Sequence, residues 1–462
     1  MQRRQFLMTS AASAAALALT GAAAARPDRK PNFIVILCDD LGFGDVGLRG
    51  VGAMGGPTIR TPNIDRMARG GVTLTDFYSP ANICTPARAG YLTGRYPVRT
   101  GLGWQVIQAS DTRGLPLGEV TIAEALKPAG YTSALIGKWH LGHVAPFWPP
   151  TQHGFDLFFG LPYSHDMQPV SLYTDNGPGV ELIKEDVSFP QLQQRFYDRA
   201  EKFVSENAAK PFFLMLALSA PHLPNDPNPA FHNHSSAGAY GDVVEEIDSI
   251  VGRLEARLRQ LGLERDTLVI LTSDNGPWFE GSAGNLRDRK GGAGYDGGYR
   301  VPFIARMPGT IPAGRRSDAI AMGIDLMPTF CGMAGVPLPA GVEIDGADIG
   351  AVLTRQAPTP HDQLLLFDNE EVAAIRTQQW KFVSQAHYRS FRLPISVKRP
   401  GLTRAAQLYD MRRDPSENYS QADRNPAVVA DMDARLRAAS ARFAPFATHA
   451  PAPLPVIAPP KD

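Results

Sequence analysis

The run Phe33-Ile34-Val35-Ile36-Leu37, which follows Asn32, is apolar at every position. A strand with one face in water would alternate apolar and polar residues, so this one has both faces covered. That requirement selects a sheet held between layers of helices. Further strand-length runs read at Thr132 to Ile136, Phe212 to Leu218 and Leu268 to Leu271. Between the last two, Asp242 to Leu261 sets Val243, Ile247, Ile250, Leu254, Leu258 and Leu261 on one helical stripe. Thr61-Pro62 offers an N-cap and first helical position, and Gly70-Gly71 closes that short helix. Repetition of strand, helix and strand predicts a parallel α/β sheet.

The texture changes near residue 355. Leu364 to Phe367, Val372 to Arg376, Lys381 to Val383 and Gln407 to Tyr409 are short strand candidates with no helices between them, and a helix follows over Ala427 to Phe443. At about 150 residues per domain, a chain of 462 residues permits three domains, or one large domain with an appendage. The expected layout is a large domain over 31–355, a small antiparallel α+β domain over 356–445, and a Pro- and Ala-rich tail over 446–462 that is extended or disordered.

Residues 1–25 read as an export signal: Arg3-Arg4, then Gln5-Phe6-Leu7 and an uncharged Ala-rich stretch up to Ala25. The uncharged run between Arg4 and Arg26 is long enough to span a bilayer. Its apolar content is mostly alanine, with leucine only at 7, 17 and 19, which favours cleavage over a retained anchor. The expectation is a bacterial periplasmic or secreted protein that crosses by the twin-arginine (Tat) machinery, with no stable membrane anchor. Lys plus Arg equals Asp plus Glu at 46 each, so no overall field draws the chain to nucleic acid or an anionic membrane. Any charge selectivity is local. The three cysteines, Cys38, Cys84 and Cys331, form no Cys-x-x-Cys pair, so neither a disulfide framework nor a zinc-thiolate site is readable.

Open parallel sheets bind ligands outside the carboxyl ends of their strands. Two apolar runs end alike there: Cys38 is followed by Asp39-Asp40, and Ser273 by Asp274-Asn275-Gly276. Three carboxylates and an amide brought together would repel unless a cation sat among them, and oxygen-only donors suit calcium or magnesium. Taken singly, each pair is also ordinary turn chemistry.

The segment Cys84-Thr85-Pro86-Ala87-Arg88, followed by Leu92-Thr93-Gly94-Arg95, resembles the signature of the sulfatases. A tyrosine-phosphatase loop would need arginine at 90, where this chain has Gly90. The resemblance runs over nearly all of the chain beyond the leader. Gly137-Lys138-Trp139-His140-Leu141-Gly142, Pro221-His222, and Lys290 ahead of Tyr295-Asp296-Gly297-Gly298 are similar to family segments, although four residues rather than the usual three separate Lys290 from its aromatic. Leu161-Pro162-Tyr163-Ser164-His165-Asp166 looks like the arylsulfatase A and galactosamine-6-sulfatase branch, and Leu408-Tyr409-Asp410 with Asp414-Pro415 like the C-terminal part.

The resemblance implies an alkaline-phosphatase-like α/β fold: a large central mixed, mostly parallel sheet flanked by helices, with a smaller C-terminal antiparallel sheet plus helix. It also implies that a formylglycine-generating enzyme oxidises Cys84 to Cα-formylglycine, whose hydrate attacks sulfur with one hydroxyl and expels sulfate with the other. The implied cation is one Ca2+, with Mg2+ possible, held by Asp39, Asp40, residue 84, Asp274 and Asn275. Arg88 orients the hydrate, Lys138, His222 and Lys290 bind sulfate, Ser164 lines the substrate site, His222 or Lys290 protonates the departing alcohol, and His140 takes the proton that lets sulfate leave. The expected substrate is a sulfated small molecule or carbohydrate. Two rival readings are a phosphate or phosphonate ester hydrolase with the same nucleophile, and a non-catalytic protein that binds sulfated glycans. Trp104, Trp148, His165 and the loops around 170–190 and 225–240 are candidate pocket residues. His232 and His234 read as surface residues.

Overall fold

The computed structural model describes residues 29–47, 59–177, 180–384, 387–388, 395–396 and 407–449. The leader over 1–25 and the tail from 450 onward lie outside these residues. The large sheet contains β1 (Asn32–Asp39), β2 (Val72–Leu74), β3 (Thr132–Lys138), β4 (Leu157–Leu161), β5 (Leu172–Asp175), β6 (Ile183–Glu185), β7 (Phe212–Pro221), β8 (Thr267–Ser273), β9 (Phe303–Arg306) and β10 (Arg315–Ser317). Its spatial order is β10-β2-β9-β8-β1-β7-β3-β4-β5-β6. The central five, β8-β1-β7-β3-β4, are parallel, while β9, β5 and β6 run antiparallel to their neighbours. The sheet is the mixed, mostly parallel one expected.

The apolar run on β1 divides by parity, which is why none of its positions can be polar. Phe33, Val35 and Leu37 enter one core with Met327 and Phe330 of α5 (Leu326–Ala334). Ile34 and Ile36 enter the other with Phe196 and Phe203 of α3 (Phe189–Glu206) and with α4 (Gly238–Gln260). Phe33 stacks on Phe330 with centroids 4.4 Å apart. The stripe on α4 is buried from Val243 to Leu258, and Leu261 is half-buried just past the helix end. The helix begins at Gly238, ahead of the predicted Asp242. Two further helices complete the frame near the site: α1 (Pro62–Arg69), opened by Thr61 and Pro62 as read, and α2 (Cys84–Thr93).

The four late strand candidates form one antiparallel meander in chain order, β11 (Leu364–Asp368), β12 (Glu371–Arg376), β13 (Trp380–Val383) and β14 (Gln407–Asp410). Helix α6 (Pro426–Phe443) covers it with Met432, Leu436 and Phe443. This core also takes in Tyr78, Tyr96, Tyr299, Ile320 and Met322 from the large part of the chain. The first tail residues are docked rather than free: the backbone N–H groups of Thr448 and His449 both donate to Glu370 Oε2 at 2.9 Å. Among the described residues, no helix is long and apolar enough to cross a membrane.

Candidate active site

Strands β1 and β8 run in register, Cys38 beside Ser273, so Asp39-Asp40 and Asp274-Asn275 emerge side by side at the carboxyl edge of the sheet. Asp40 turns the chain with φ 69°, and its N–H donates to Asp274 Oδ1 at 3.2 Å. Asp39, Asp40, Asp274 and Cys84 are all buried, and each brings one ligand atom to within 4.8 Å of the others. Asn275 Nδ2 donates to Asp40 Oδ1 at 2.7 Å, which leaves the buried Asn275 Oδ1 without a partner. A buried amide oxygen left unpaired beside three carboxylates fits a hard divalent cation. The thiol is the one donor out of keeping with that set.

Burial and the neighbouring Asp39 push the Asp274 carboxyl up to about 7. Burial also works against ionisation of Asp39, but Lys138, His222 and Arg88 together hold it well below the usual carboxylate range. The site therefore concentrates negative charge in a dry place and surrounds it with fixed cations.

Cys84 is the first residue of α2, so the positive end of the helix points at the cluster. Its Sγ lies 3.4 Å from Asp39 Oδ1. Burial and Asp274 push the thiol well above its ordinary value, which disfavours a thiolate nucleophile. One turn along α2, Arg88 donates Nε to Asp274 Oδ2 at 3.0 Å and Nη1 to the Lys138 carbonyl at 2.8 Å. That side chain ties α2, β3 and β8 together. Lys138, at the end of β3, holds Nζ 2.6 Å from Asp39 Oδ2, and Lys290 holds Nζ 2.7 Å from Asp40 Oδ2. Burial would discharge both lysines, yet the facing carboxylates raise their pKa overall, so both stay charged. His222 donates Nδ1–H to the Leu223 carbonyl at 2.6 Å, which leaves Nε2 turned toward Asp40, 3.7 Å away.

His140 sits at φ 60°, a backbone region that a non-glycine residue occupies only where its surroundings enforce it. The enforcing contacts close a ring. His140 Nε2–H donates to the Ile107 carbonyl at 2.8 Å, the Ile107 N–H donates to Thr85 Oγ1 at 3.0 Å, and Thr85 Oγ1 donates to the His140 carbonyl at 2.9 Å. The carbonyl can only accept, so Nε2 carries the proton and Nδ1 presents a lone pair, buried and without a partner. Burial and the Lys138 charge hold the ring well below the usual histidine range, and it is neutral. Thr85, a position of the Cys84 motif to which the sequence reading gave no role, is the hinge of this ring.

Above these groups lies a cavity of about 740 Å3, with Cys84, His140, Ser164, His222 and Lys290 among its lining residues. The Ser164 hydroxyl is buried and unpartnered. The outer wall includes Gln105, Gln108, Met167, Gln168 and Trp278. The candidate aromatics fall elsewhere. Trp104 stacks on His449 at 4.7 Å, and Trp148 packs edge-on against Phe158 and Tyr173. His165 is buried behind the cavity with its ring 5.7 Å from His222. Among the described residues, none from the loops 170–190 and 225–240 lines the cavity. Trp278 does, and its signal was its place, three residues after Asn275 at the end of a strand that carries chemistry. His232 and His234 are exposed, as read. The extra residue between Lys290 and Tyr295 is absorbed in a glycine-rich loop, and Lys290 still reaches the cluster.

The chain matches the family profile described as Sulfatase over residues 31–336, and that described as N-sulphoglucosamine sulphohydrolase, C-terminal, over residues 293–442. It is 38% identical to arylsulfatase A of Homo sapiens over 440 residues, which cover 87% of this chain and 84% of that protein. Against steryl-sulfatase of Mus musculus it is 32% identical over 543 residues, covering 93% and 85%. Among solved structures, the PsFucS1 sulfatase from Pseudoalteromonas sp. superposes with a TM-score of 0.82 at 29% identity, covering 91% of this chain and 92% of that one. With the first profile spanning more than half of its length, and with the motif cysteine set among acids and lysines at one sheet edge, this chain belongs to the sulfatase family.

Proposed function

We propose that this enzyme hydrolyses sulfate monoesters with residue 84, oxidised from cysteine to formylglycine, as its nucleophile. The observation that carries the reading is the place of Cys84: at a helix start on a cavity wall, touching an otherwise all-oxygen cluster. Exchange of its sulfur for hydrate oxygens would complete the hard donor set. Asp39, Asp40, Asp274 and Asn275 Oδ1 would hold a divalent cation, calcium by family resemblance. Bound there, it supplies Lewis-acid polarisation of the nucleophilic hydroxyl and of a sulfate oxygen.

The protein's own side chains supply the rest. Lys138 and Lys290 flank the cluster as fixed charges and His222 adds a donor, a set suited to the oxygens of a tetrahedral anion and to charge that grows during transfer. Arg88 fixes Asp274 and, through the helix, residue 84. His222 Nε2 or Lys290 Nζ protonates the departing alcohol oxygen. His140 Nδ1, neutral and unpartnered, takes a proton from the second hydroxyl of residue 84 so that the aldehyde re-forms and sulfate leaves. Ser164 and Trp278 contact the alcohol part of the substrate, a sulfated small molecule or carbohydrate.

Peptide mass spectrometry of protein made alongside a formylglycine-generating enzyme tests the reading: residue 84 is expected about 18 Da lighter than cysteine, with turnover proportional to the modified fraction. Turnover by protein whose residue 84 is entirely thiol would overturn it. The leader supports export of the folded enzyme by the Tat route. Replacing Arg3 and Arg4 by lysine is expected to leave active enzyme in the cytoplasm, and unchanged export would refute that route.

A further inference from the structure

Lys290 stands on a loop that has little reason of its own to hold one shape. Gly291, Gly292, Gly294, Gly297 and Gly298 all fall within eight residues of it, and glycine loses more conformational freedom on ordering than any other residue. The inner side of the loop is fastened to the active site. Lys290 N–H donates to the Pro277 carbonyl at 3.0 Å, Gly291 N–H to the Asn82 carbonyl at 2.8 Å, and Gly276 N–H to the Gly298 carbonyl at 2.9 Å. The outer side is fastened by the C-terminal sheet. Asp296 N–H donates to Glu417 Oε2 at 2.8 Å, Tyr295 OH to Gln407 Oε1 at 2.7 Å, and Arg287 Nη1 to the Tyr409 hydroxyl at 2.9 Å and the Glu417 carbonyl at 2.8 Å.

A wholly buried charge cluster lies at the centre of this outer clamp. Lys381 Nζ, on β13, sits 2.6 Å from Asp296 and 2.7 Å from Glu417, and all three residues are fully buried. Arg300 bridges Asp296 and Asp76 at 3.3 and 3.2 Å, and Arg376 of β12 reaches Asp76 at 2.7 Å. Three acids meet three bases, so no member is left uncompensated. Such a cluster is a poor way to gain stability compared with apolar packing, but it fixes register and orientation where all its partners are satisfied.

We propose that the C-terminal sheet is a positioning element for the active site, with Lys381 and Glu417 acting through Asp296 to hold Lys290 at the sulfate position. The inference rests on the reading of Lys290 as a sulfate-binding side chain. Loss of Lys381 or of the Glu417 charge unbalances the clamp, the Asp296 corner shifts, and Nζ leaves its place beside Asp40. Misplacement by about 1 Å can cost on the order of 100-fold.

The test measures kcat on 4-nitrophenyl sulfate for Lys381→Met, Glu417→Gln and Lys290→Ala, singly and combined, in the full-length chain. Each value is expressed per formylglycine-bearing molecule of folded protein. A role confined to folding lowers the unfolding midpoint and the yield but not this number. The expected result is a loss of roughly 10- to 100-fold for Lys381→Met and for Glu417→Gln, with no further loss when either is added to Lys290→Ala. Wild-type kcat in either folded variant overturns the proposal, as do losses that multiply in the Lys290→Ala background. The isosteric Glu417→Gln carries the test where Lys381→Met does not fold. Full kcat in Lys290→Ala would instead overturn the sulfate-binding role of Lys290, and with it the purpose of the clamp.

Discussion

Residue 84 and His140 divide the proposed reaction between them, and single substitutions separate their parts. Serine at 84 keeps one hydroxyl where the hydrate has two, so it can accept sulfate but cannot re-form a carbonyl to release it. Cys84→Ser is therefore expected to give at most one equivalent of product and a stable adduct about 80 Da heavier, read by intact mass. Repeated turnover by that variant would show that release does not need the second hydroxyl. His140→Gln removes the unpartnered Nδ1 base while keeping a side chain able to donate to Ile107. It is expected to lower kcat by on the order of 10²- to 10⁴-fold, with the sulfated form accumulating in the formylglycine enzyme. Loss of rate with no such accumulation would move His140 to the first half of the cycle. The ring of hydrogen bonds through Thr85 makes a further distinction. Thr85→Val keeps the shape but leaves the Ile107 N–H buried and unpaired, so its effect is expected to follow that of His140→Gln at smaller size, about 10-fold.

At the scale of elements, what was legible follows from which forces act locally. The parallel strands declared themselves because each is apolar on both faces, and the late strands because no helical spacing intervenes. The start of α4 was misplaced because Gly238, Ala239 and Gly241 carry too little hydrophobic signal to mark a face. The acid pairs could be placed because a strand end fixes where the next residue points. Trp278 could not, because loop folding decides which aromatic faces the cavity, and Trp104 and Trp148 were spent on packing instead. The junction before α5 shows a device of the same non-local kind. Asp325 accepts from the N–H groups of Met322 at 2.8 Å and Ala347 at 2.9 Å, and from His361 Nε2 at 2.8 Å. Burial works against the charged imidazole, but Asp325, its hydrogen bond and then Asp362 outweigh it and raise the His361 pKa. A raised folded value makes the pair's contribution complete below the ordinary histidine value of about 6.5 and lost as pH rises through the folded value. The contribution is on the order of 1 kcal/mol. The difference in unfolding free energy between the native sequence and His361→Ala should shrink across that rise, and a pH-independent difference would remove the ionic contribution.

Over the whole molecule, the two sheets share more than a boundary. Tyr78, Tyr96, Tyr299 and Ile320 bury themselves in the same core as Leu366, Ile375 and Phe443, and the Asp76, Asp296, Arg300, Arg376, Lys381 and Glu417 cluster spans the seam. These six charges are scattered from residue 76 to residue 417, so no local pattern in the sequence marks them as partners. A division near residue 355 describes a change in texture, but it is a poor description of stability. A chain ended there would expose those aromatic rings and leave Asp76 without Arg376 and Asp296 without Lys381, at a cost of several kcal/mol against a total stability of about 5–15 kcal/mol. The expectation is one cooperative transition for the full chain and no folded product from residues 31–355 alone. Urea unfolding can resolve this, since Trp380 reports from the C-terminal sheet while Trp139 and Trp148 report from beside the large one. Coincident midpoints for a Trp380-only variant and for far-ultraviolet circular dichroism would confirm a single unit. An earlier Trp380 transition that leaves most secondary structure intact would mean that the C-terminal sheet can detach. In that case activity should vanish at the first transition, because detachment also releases the loop that carries Lys290.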